Sequence, residues 1–581
     1  MNKTENHRAD ICVIGGGLAG MCAAVAAARR GCRVILVHDR PVLGGNCSSE
    51  IRMWPLGASG NNRRETGIFE EIVLNNCYRN PMRTYPLWDS VLFETVRFQD
   101  GLESLLNCSV YDAVMHDDRI TAVRAWQLTT YKQHYIEADI FIDCSGDSIL
   151  AGLTGAEFRH GREARGMYGE DAAPVEADSR TMGNSCLIQA RETECRIEYK
   201  APDWARRLPD EAALENRRHS FSNFRENYWW MELGGERNTI DDSEEIRDDL
   251  LALSFGVWDH IKNYGDHGAE NWELDWAGFL PGKRESRRYV GDHILTQNEV
   301  QAGGKFEDII AYGGWKIDNH PPKGFDHCGE PTTYYPCPSP FGIPYGCIYS
   351  VNIDNLMFAG RNISATHAAM AASRVMATCA MLGQAAGTAA CIAVRRNISP
   401  RKVSGYIGEL QQHLMDDDCW LPGLARHISE KCKNAELITA CENKENLRSG
   451  VDRPTDDTGD NGCYIELGSD VTYSFKAPEF IDEVRIIFDS DLNRSTVRGG
   501  VPSVRDCPTI CNRPLNMEPF TFPDTMTKSF EIIADGEVVC KVDDNHQRLV
   551  RIPVNRLVNK LTLRPLSTFG AEKSHVFSFD F

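Results

Sequence analysis

Two short apolar runs near the start of the chain flank a long stretch of small residues. The runs at 10–15 and 33–37 are rich in branched side chains, and the alanine-rich segment between them stops at Gly31. Short apolar strands on either side of a helix are typical of a parallel sheet. The pattern therefore predicts a strand, a glycine turn, a helix and a second strand over residues 10–40.

Later segments predict further helices and strands of the same kind, separated by a long irregular region. Apolar spacing of three and four predicts helices within 65–101, and residues 107–143 predict strands that end in "EADIFID". The middle of the chain, about 155–345, is irregular and rich in aromatic residues, proline and glycine. Residues 346–397 then predict a strand followed by one long small-residue helix, "AASRVMATCAMLGQAAGTAACIAV".

The pattern of apolar and polar residues changes again at about residue 445. Short runs with partial apolar alternation predict strands, and Asp535-Gly536 is a hairpin-turn dipeptide. This C-terminal region is expected to be all-β and to form a sandwich.

Composition narrows the class of protein. The 581 residues suggest two to four domains, and the formal net charge of -20 argues against a nucleic-acid partner, which needs clustered Lys and Arg. The 21 cysteines are scattered without a Cys-x-x-Cys pair, as expected for free thiols in a reducing compartment. A polar N-terminus and the lack of a long uninterrupted apolar run predict a cytoplasmic protein that does not bind a membrane.

The first turn carries a dinucleotide-binding motif. Gly15, Gly17 and Gly20 stand in the pattern G-x-G-x-x-G, where they permit the tight turn, the approach of a pyrophosphate and close helix packing. The acidic residue expected about 20 positions later, to hold a ribose, is replaced by His38, which Asp39 follows. Either side chain is a candidate for that role.

Three further stretches favour FAD over a nicotinamide cofactor. "RPVLGGN" follows the second strand, "FIDCSGDS" ends a later strand, and "NLMFAGRNIS" precedes the long helix. A nicotinamide-only enzyme has no evident use for the last two.

At these residues the chain resembles the FAD-dependent oxidoreductases of the glutathione-reductase-type superfamily, with two dinucleotide-binding domains. More narrowly, it is similar to a widespread bacterial branch often encoded near carbohydrate-degradation genes. The motifs are "GGGLAG", "RPVLGGNCSSEIRMW", "DCSGDS", "PGKRESRR", "IPYGCIYSVNIDNLMFAGRNISATH" and "RVMATCAMLGQAAGTAA". The resemblance, over about 8–400, implies FAD held by Gly15, Gly17, Gly20, Gly44, Gly45, Val110, Gly360 and Arg361. The same motifs add Leu18, Ala19, Arg40, Asn46, Cys47, Ser145, Gly146 and Met376 as expected cofactor contacts.

The predicted fold is α/β, with a Rossmann-type FAD-binding domain, an inserted α+β domain and a C-terminal all-β sandwich. The FAD domain is assigned to 1–154 and 346–400, the substrate domain to 155–345, a helical linker to 401–444 and a galactose-binding-like sandwich to 445–581. The last assignment rests on a resemblance of "NLRSGVDRPTDDTGDNGCYIEL" and the strands after it to discoidin-type sandwiches.

Cys47 is not expected to act in a dithiol relay. Disulfide reductases of the superfamily place a second cysteine five residues later, and Arg52 occupies that position here. A relay needs a resolving thiol, so Cys47 is interpreted as a packing residue near the flavin.

Candidate catalytic groups follow from the chemistry of alcohol oxidation, which needs a base for the hydroxyl proton. His367 follows the late strand closely and is the first candidate, with a core or FAD-binding histidine as the alternative. Three arginines are candidates for binding or protonating the substrate: Arg52, Arg64 and Arg284. No metal is expected, since His327 and Cys328 have no partner at a ligand spacing.

The function predicted first is oxidation of a secondary alcohol of a sugar or glycoside to a ketone by hydride transfer to FAD. The second hypothesis is a fumarate-reductase-like reduction of an activated C=C bond, with an arginine as proton donor. The third is a binding protein that retains FAD without redox turnover. The partner is a small molecule; a homo-oligomer is compatible with the sequence, which leaves the electron acceptor open.

Overall fold

The computed structural model of the protein describes residues 3–221, 226–456, 459–494 and 507–581. It has a mixed α/β architecture and divides into two compact units, described separately below. The first unit comprises Met1–Gly57, Arg83–Ile407 and Cys507–Glu518, and the second comprises Ala58–Met82, Gly408–Asp506 and Pro519–Phe581. Residues 58–82, which lie inside the predicted FAD-binding range, thus belong to the second unit.

The first unit contains most of the helices and many short strands. Its α-helices are Leu18–Arg29, Tyr85–Arg97, Ile149–Thr154, Arg165–Tyr168, Ser243–Asn263, Gln297–Gln301, His367–Ser373 and Met376–Arg396. Its strands are Thr4–Arg8, Ile11–Ile14, Val34–Val37, Leu102–Leu105, Cys108–His116, Arg119–Gln127, Lys132–Glu137, Ile140–Asp143, Phe158–His160, Asn184–Ser185, Ile188–Glu192, Glu232–Leu233, Trp272–Ala277, Gly282–Lys283, Arg287–Tyr289, Ile309–Gly313, Ile317–Asn319, Thr333–Tyr335, Phe341–Pro344 and Leu356–Phe358.

A five-stranded parallel sheet forms the centre of this unit. Its strands run in the order 356–358, 140–143, 11–14, 34–37 and 102–105, each paired in parallel with the next. The predicted strand–helix–strand unit at 10–40 is therefore confirmed. The sheet order brings the carboxyl ends of 11–14, 140–143 and 356–358 to one edge, which is where open α/β sheets bind ligands.

Two helices of small residues pack directly against each other beside this sheet. A Cβ atom at Gly383 of the helix Met376–Arg396 would lie 2.0 Å from the carbonyl oxygen of Ala19, and one at Gly387 would lie 2.1 Å from that of Ala23. The helices therefore meet through their backbones. Among the described residues, Met376–Arg396 is also the one helix long and apolar enough to cross a membrane, yet 94% of its apolar window is buried inside the protein.

The single helix predicted from Ala371 onward is in fact two. His367–Ser373 ends at Arg374, and Val375, in an extended conformation, precedes the helix Met376–Arg396. The run of helix-compatible residues conceals this break. Its consequence is a helix N-terminus at Met376 without a side-chain cap.

The irregular middle of the chain contains small sheets and one long helix. Strand 184–185 pairs antiparallel with 232–233 and 282–283, and 188–192 pairs with 272–277. The 21-residue helix Ser243–Asn263 packs its apolar face into a cluster that includes Leu250, Val257 and Trp258.

The second unit is built on an antiparallel sheet. Its helices are Ile68–Arg79, Ile407–Asp416, which starts at the last residue of the first unit, and Glu430–Asn434. Its strands are Glu436–Ile438, Cys463–Glu466, Val471–Phe488, Thr527–Ala534, Glu537–Val542, Leu549–Thr568 and Lys573–Asp580. The predicted hairpin at Asp535-Gly536 is confirmed, since Ala534 pairs with Glu537 across it.

Candidate functional site

The glycine turn after the strand Ile11–Ile14 is very tight. Gly15 has a φ of +100°, and a Cβ atom there would lie 2.5 Å from the carbonyl oxygen of Cys144. A larger residue is excluded both by this φ and by the backbone of the neighbouring strand end. The turn therefore places the start of the helix Leu18–Arg29 at the carboxyl edge of the sheet.

Gly17 leaves an open surface at that helix start. It precedes Leu18, no side chain caps the helix, and the atom nearest to an added Cβ would be the Cα of Gly45, 3.9 Å away. Gly17 pairs with Gly44, whose N–H donates to the oxygen of Gly16 at 2.8 Å. Uncapped N–H groups at a helix N-terminus, with glycines in front of them, suit a phosphate group.

His38 is committed to holding this turn. Its Nδ1 accepts a hydrogen bond from the N–H of Gly16 at 2.9 Å, and its Nε2 donates to the oxygen of Val42 at 3.0 Å. Burial lowers the pKa of His38, so the ring is neutral with its proton on Nε2. Both nitrogens of His38 thus bind backbone atoms, and the carboxylate of Asp39, whose side chain is 58% exposed, lies 3.3 Å from Nδ1. That one of these two residues holds a ribose stays a prediction.

Asp147 joins several of the predicted cofactor contacts. Its carboxylate accepts hydrogen bonds from Arg361 at 2.9 Å and from Lys283 and Ser286 at 2.8 Å each. Burial raises the pKa of Asp147, but Arg361 and Lys283 outweigh it and bring the value to about 2. Two cations against one carboxylate leave an excess positive charge. Gly146 makes room for Arg361, since a Cβ atom there would lie 2.6 Å from its guanidinium carbon.

Buried polar atoms beside these groups support a bound polar cofactor. Across the described part of the chain, Nη1 of Arg40, Nε of Arg361 and Oδ1 of Asn362 are among the buried side-chain atoms without a hydrogen-bond partner. Asn46 donates to the oxygen of Lys283 at 2.9 Å, which ties the 44–47 loop to the Asp147 cluster. The turn, the loop and this cluster together fit a dinucleotide.

The other expected cofactor contacts surround the same edge. A Cβ atom at Gly360 would touch that of Ala19 at 3.6 Å, and Ser145 follows strand 140–143 with its N–H bound to Asp143. Val110 lies on the strand Cys108–His116, whose first N–H donates to the oxygen of His38. Met376 opens the uncapped second helix.

Cys47 is fully buried, and its thiol lies 3.1 Å from the oxygen of Gly44. Burial raises its pKa, which keeps the sulfur protonated.

Arg52 stands between the rings of Tyr85 and Trp276, with its guanidinium carbon 4.8 and 4.3 Å from their centroids. Arg52 is held by these ring contacts and by hydrogen bonds that it donates to the oxygen of Ser49 at 3.1 Å and to Oε1 of Gln189.

His367 lies in a buried polar network. Its Nδ1 is 2.9 Å from one carboxylate oxygen of Glu285 and 3.0 Å from the other, and its Nε2 is 3.1 Å from Oδ1 of Asn319. The backbone N–H of His367 donates to Glu163 at 2.9 Å. Both its backbone and its ring are thus held by carboxylates.

Arg288 bridges the same two carboxylates. It donates to Glu285 and, at 2.8 Å, to Glu163. Burial raises the pKa values of Glu285 and Glu163, but the neighbouring His367 and Arg288 outweigh it, so both pKa values are lowered. Two carboxylates facing one guanidinium leave an excess negative charge beside the ring of His367.

A second buried histidine has no counterpart among the sequence-based candidates. His320 lies 2.6 Å from Glu232 through Nδ1 and 3.3 Å from Asp318 through Nε2. Burial lowers its pKa, but Glu232 and Asp318 outweigh burial and raise the value. Asn319, between Asp318 and His320 in sequence, contacts His367, so the two networks adjoin. The available sequence signal is the polar run Asp318-Asn319-His320, which directly follows Ile317.

The remaining predicted arginines have distinct settings. Arg284 donates to Ser185 at 2.9 Å and to the oxygen of Trp229 at 2.6 Å, and its Nε lies 3.4 Å from Glu232. It is thus part of the His320 network. Arg64 belongs to the second unit, where its Nε donates to the oxygen of Leu492 at 3.2 Å.

Comparison with known proteins is consistent with this site. The model of a family described as FAD dependent oxidoreductase matches residues 10–414. No curated protein matches.

Among solved structures, a geranylgeranyl bacteriochlorophyll reductase-like protein from Thermoplasma acidophilum is 11% identical, covering 71% of this chain and 86% of its own, with a TM-score of 0.31. An E. coli quinol fumarate reductase variant is 12% identical (71% and 75% covered, TM-score 0.28). A glycerol-3-phosphate dehydrogenase from Bacillus halodurans, complexed with FAD, is 14% identical (34% and 43%, TM-score 0.21). These similarities are too remote to bear on the reaction.

Proposed function

This chain belongs to the family of FAD-dependent oxidoreductases, and from that premise we propose that it oxidises a secondary alcohol of a sugar or glycoside to a ketone. Bound FAD supplies the two-electron acceptor for the hydride that leaves the carbinol carbon. The residues expected to hold it are those of the glycine turn, the 44–47 loop and the Asp147 cluster. The side chains of the protein provide substrate selectivity and accept the hydroxyl proton.

The observation that carries the proposal is the contact of His367 with Glu285. Glu285 lies at Nδ1 of the ring, so a neutral His367 donates there and presents the lone pair of Nε2. A carboxylate behind a histidine fixes its tautomer and stabilises the imidazolium that forms when Nε2 takes a proton. This is the arrangement that alcohol oxidation requires of a base.

Asn319 completes the proposed proton acceptor. A protonated Nε2 donates to Oδ1 of Asn319 at the observed 3.1 Å. In the neutral ring the substrate hydroxyl takes the place of that contact and donates to Nε2. As the alcohol carbon loses hydride, its hydroxyl proton moves to Nε2, and the C–O bond becomes a carbonyl.

We further propose that the parallel sheet belongs to a Rossmann-type FAD-binding domain of the glutathione-reductase type and that residues 445–581 form a galactose-binding-like sandwich. The sugar class rests on the family resemblance and on that sandwich, which is an analogy of fold. The described residues include all 21 cysteines and contain no disulfide, which supports a cytoplasmic location.

The decisive experiment is an anaerobic spectrum of the purified flavoprotein during addition of sugars and glycosides. Bleaching of the flavin band by one class supports the proposal. His367→Ala should then slow bleaching by about 10²–10⁴-fold, the usual contribution of a general base.

His116→Ala is the matched control, because the side chain of His116 is 81% exposed on the strand Cys108–His116. It should bleach at the wild-type rate. Equal rates in all three proteins would remove His367 from the reaction, and a flavin that no sugar bleaches would overturn the sugar-oxidation proposal.

The Arg284 contacts favour one second candidate, reduction of an activated C=C bond. An arginine that donates a proton needs a route for its replacement. Arg284, Glu232, His320 and Asp318 form a buried series of opposite charges, with separations of 3.4, 2.6 and 3.3 Å. Chemically reduced enzyme that enoates reoxidise would establish this reaction. A flavin that neither class oxidises or reduces would indicate an FAD-retaining binding protein.

A further inference from the structure

Three histidines and one glutamate converge in the inserted region of the first unit. Nε2 of His260 and Nε2 of His267 lie 3.2 and 3.0 Å from Oε1 of Glu211, and Nε2 of His219 lies 3.5 Å from its Oε2. Nε2 of His260 and Nε2 of His267 are 3.2 Å apart. We propose that Glu211, His219, His260 and His267 bind a zinc ion.

The hydrogen bonds on the far side of the rings determine what Nε2 presents. Nδ1 of His260 lies 2.7 Å from the carbonyl oxygen of Leu208, and Nδ1 of His219 lies 2.8 Å from that of Arg217. A carbonyl only accepts, so each Nδ1 carries the proton and each Nε2 of the neutral ring offers a lone pair. The ring of His267 also hydrogen-bonds to the backbone of Tyr264.

Without a cation, this leaves lone pairs facing one another. The carboxylate of Glu211 is an acceptor as well, so of the four inward atoms only Nε2 of His267 has a tautomer that supplies a proton, and one proton does not satisfy the other three. A metal ion satisfies all four at once. Metal-binding histidines characteristically donate their other ring N–H to a backbone carbonyl or carboxylate, as His219 and His260 do.

The spacing of the four atoms suits tetrahedral coordination. Ligand atoms about 2.0–2.1 Å from a tetrahedral zinc lie about 3.3–3.4 Å from each other. The three separations among Oε1 of Glu211, Nε2 of His260 and Nε2 of His267 are 3.0, 3.2 and 3.2 Å, close to that value. His219 completes the group, whose four ligand atoms all lie within 4.8 Å of one another. Imidazole and carboxylate ligands together suit Zn²⁺.

The surrounding backbone leaves room for the site. A Cβ atom at Gly265 would lie 3.0 Å from Nε2 of His267 and 3.2 Å from Oε1 of Glu211. His260 is buried near the end of the helix Ser243–Asn263, whereas the carboxylate-bearing side chain of Glu211 is 61% exposed. Zinc can therefore enter from the solvent side.

The ion would have a structural role. Glu211 and His219 come from the segment before the long helix, and His260 and His267 come from its end and the loop beyond. Four protein ligands close the coordination sphere, as in structural zinc sites. Zinc has no redox chemistry of its own, so this site is independent of the flavin reaction.

The test is metal analysis of the purified full-length flavoprotein, dialysed against Zn²⁺ and then against metal-free buffer. We expect about one zinc ion per chain, because the four ligands together hold one ion. Removal with a chelator should lower the thermal midpoint, and added Zn²⁺ should restore it. His219→Ala, His267→Ala and Glu211→Gln should each lower zinc affinity by at least about tenfold.

His327→Ala provides the control, because His327 lies in the same inserted region and contributes its backbone oxygen to Arg217. It should retain zinc. Flavin content, measured on the same samples, reports that each variant is folded. A wild-type protein without zinc after this treatment, or folded ligand variants that keep it, would overturn the proposal and leave the flavin reaction untouched.

Discussion

The carboxylate of Glu285 lies 2.9 Å from Nδ1 of His367, and both side chains are buried. Arg288 and the N–H of Met182 also donate to this carboxylate. Glu285 is therefore held in place independently of the histidine. A ring fixed in this way has one tautomer available for accepting a proton at Nε2.

Glu285→Gln is expected to slow flavin reduction by the alcohol about 10²-fold, because the amide does not stabilise the imidazolium charge. The measurement is stopped-flow bleaching under anaerobic conditions. Flavin content should remain, since the carboxylate of Glu285 binds Met182, Arg288 and His367, which lie outside the glycine turn.

Glu163→Gln is the matched comparison, since Glu163 accepts from the backbone N–H of His367 and not from its ring. It removes the same charge from the network and should slow the reaction less. Equal losses in the two variants would show that net charge, rather than support of the ring, governs the rate.

Gly17→Ala separates cofactor binding from folding. Gly17 has a φ of -69°, and an added Cβ would meet nothing nearer than 3.9 Å, so the free energy of unfolding of the apoprotein should change by less than about 1 kcal/mol. The methyl group nevertheless occupies the surface where the pyrophosphate is expected. FAD affinity, measured by titration of the apoprotein, should fall about tenfold or more.

Gly15→Ala should instead lower the stability of the apoprotein, because an added Cβ would meet the backbone of Cys144 at 2.5 Å and the φ of +100° disfavours alanine. It should destabilise the apoprotein by more than about 1 kcal/mol. Gly166→Ala, with no atom within 4 Å of the added Cβ, should alter neither quantity. Unchanged FAD affinity in Gly17→Ala would contradict the assignment of the phosphate site.

The elements that sequence predicts well here are those with local causes. The run at 10–15, the turn at Gly15 and the hairpin at Asp535-Gly536 depend on residues within a few positions of one another. The break at Val375 has no such cause, since Ser373, Arg374 and Val375 all tolerate a helix. At the start of the second helix the N–H of Ala377 donates to the oxygen of Leu56 at 3.0 Å, a partner far away in sequence.

The site residues differ in the same way: some stand beside local motifs, and others meet only in the folded protein. His367 and the glycines stand next to recognisable motifs, whereas His320 meets Glu232 from 88 residues away. The four proposed zinc ligands span 57 residues without a familiar ligand spacing, so only the fold brings them together. His38 shows a further limit: its position is where a ribose ligand is expected, but both ring nitrogens bind backbone atoms.

Cys47 should resist alkylation in the folded flavoprotein. It is fully buried, and burial raises the pKa of its thiol, so the reactive thiolate is scarce. Cys195 and Cys328 are exposed. Peptide mapping after a short iodoacetamide pulse should show both labelled at least about tenfold faster than Cys47. Rapid labelling of Cys47, or its loss of a free thiol on flavin oxidation, would reopen a redox role.

His575 should make the second unit less stable at alkaline pH. Its Nε2 and Nδ1 lie 3.0 Å from Asp460 and Asp489 respectively. Burial lowers its pKa, but hydrogen bonds to the two carboxylates outweigh burial and raise the value to about 9, above the unperturbed 6.5. The stabilisation is therefore complete below about pH 6.5 and is lost as pH rises through 9, a change of up to about 3 kcal/mol.

Urea unfolding of the full chain at pH 6 and pH 9.5 measures this loss. His575→Gln should be less stable than wild type at pH 6 and should show a smaller decline between the two values. His427→Gln, which alters an exposed histidine of the same unit, should retain the wild-type decline. If His575→Gln declines as steeply as wild type, the ion pairs with Asp460 and Asp489 are not the source of the pH dependence.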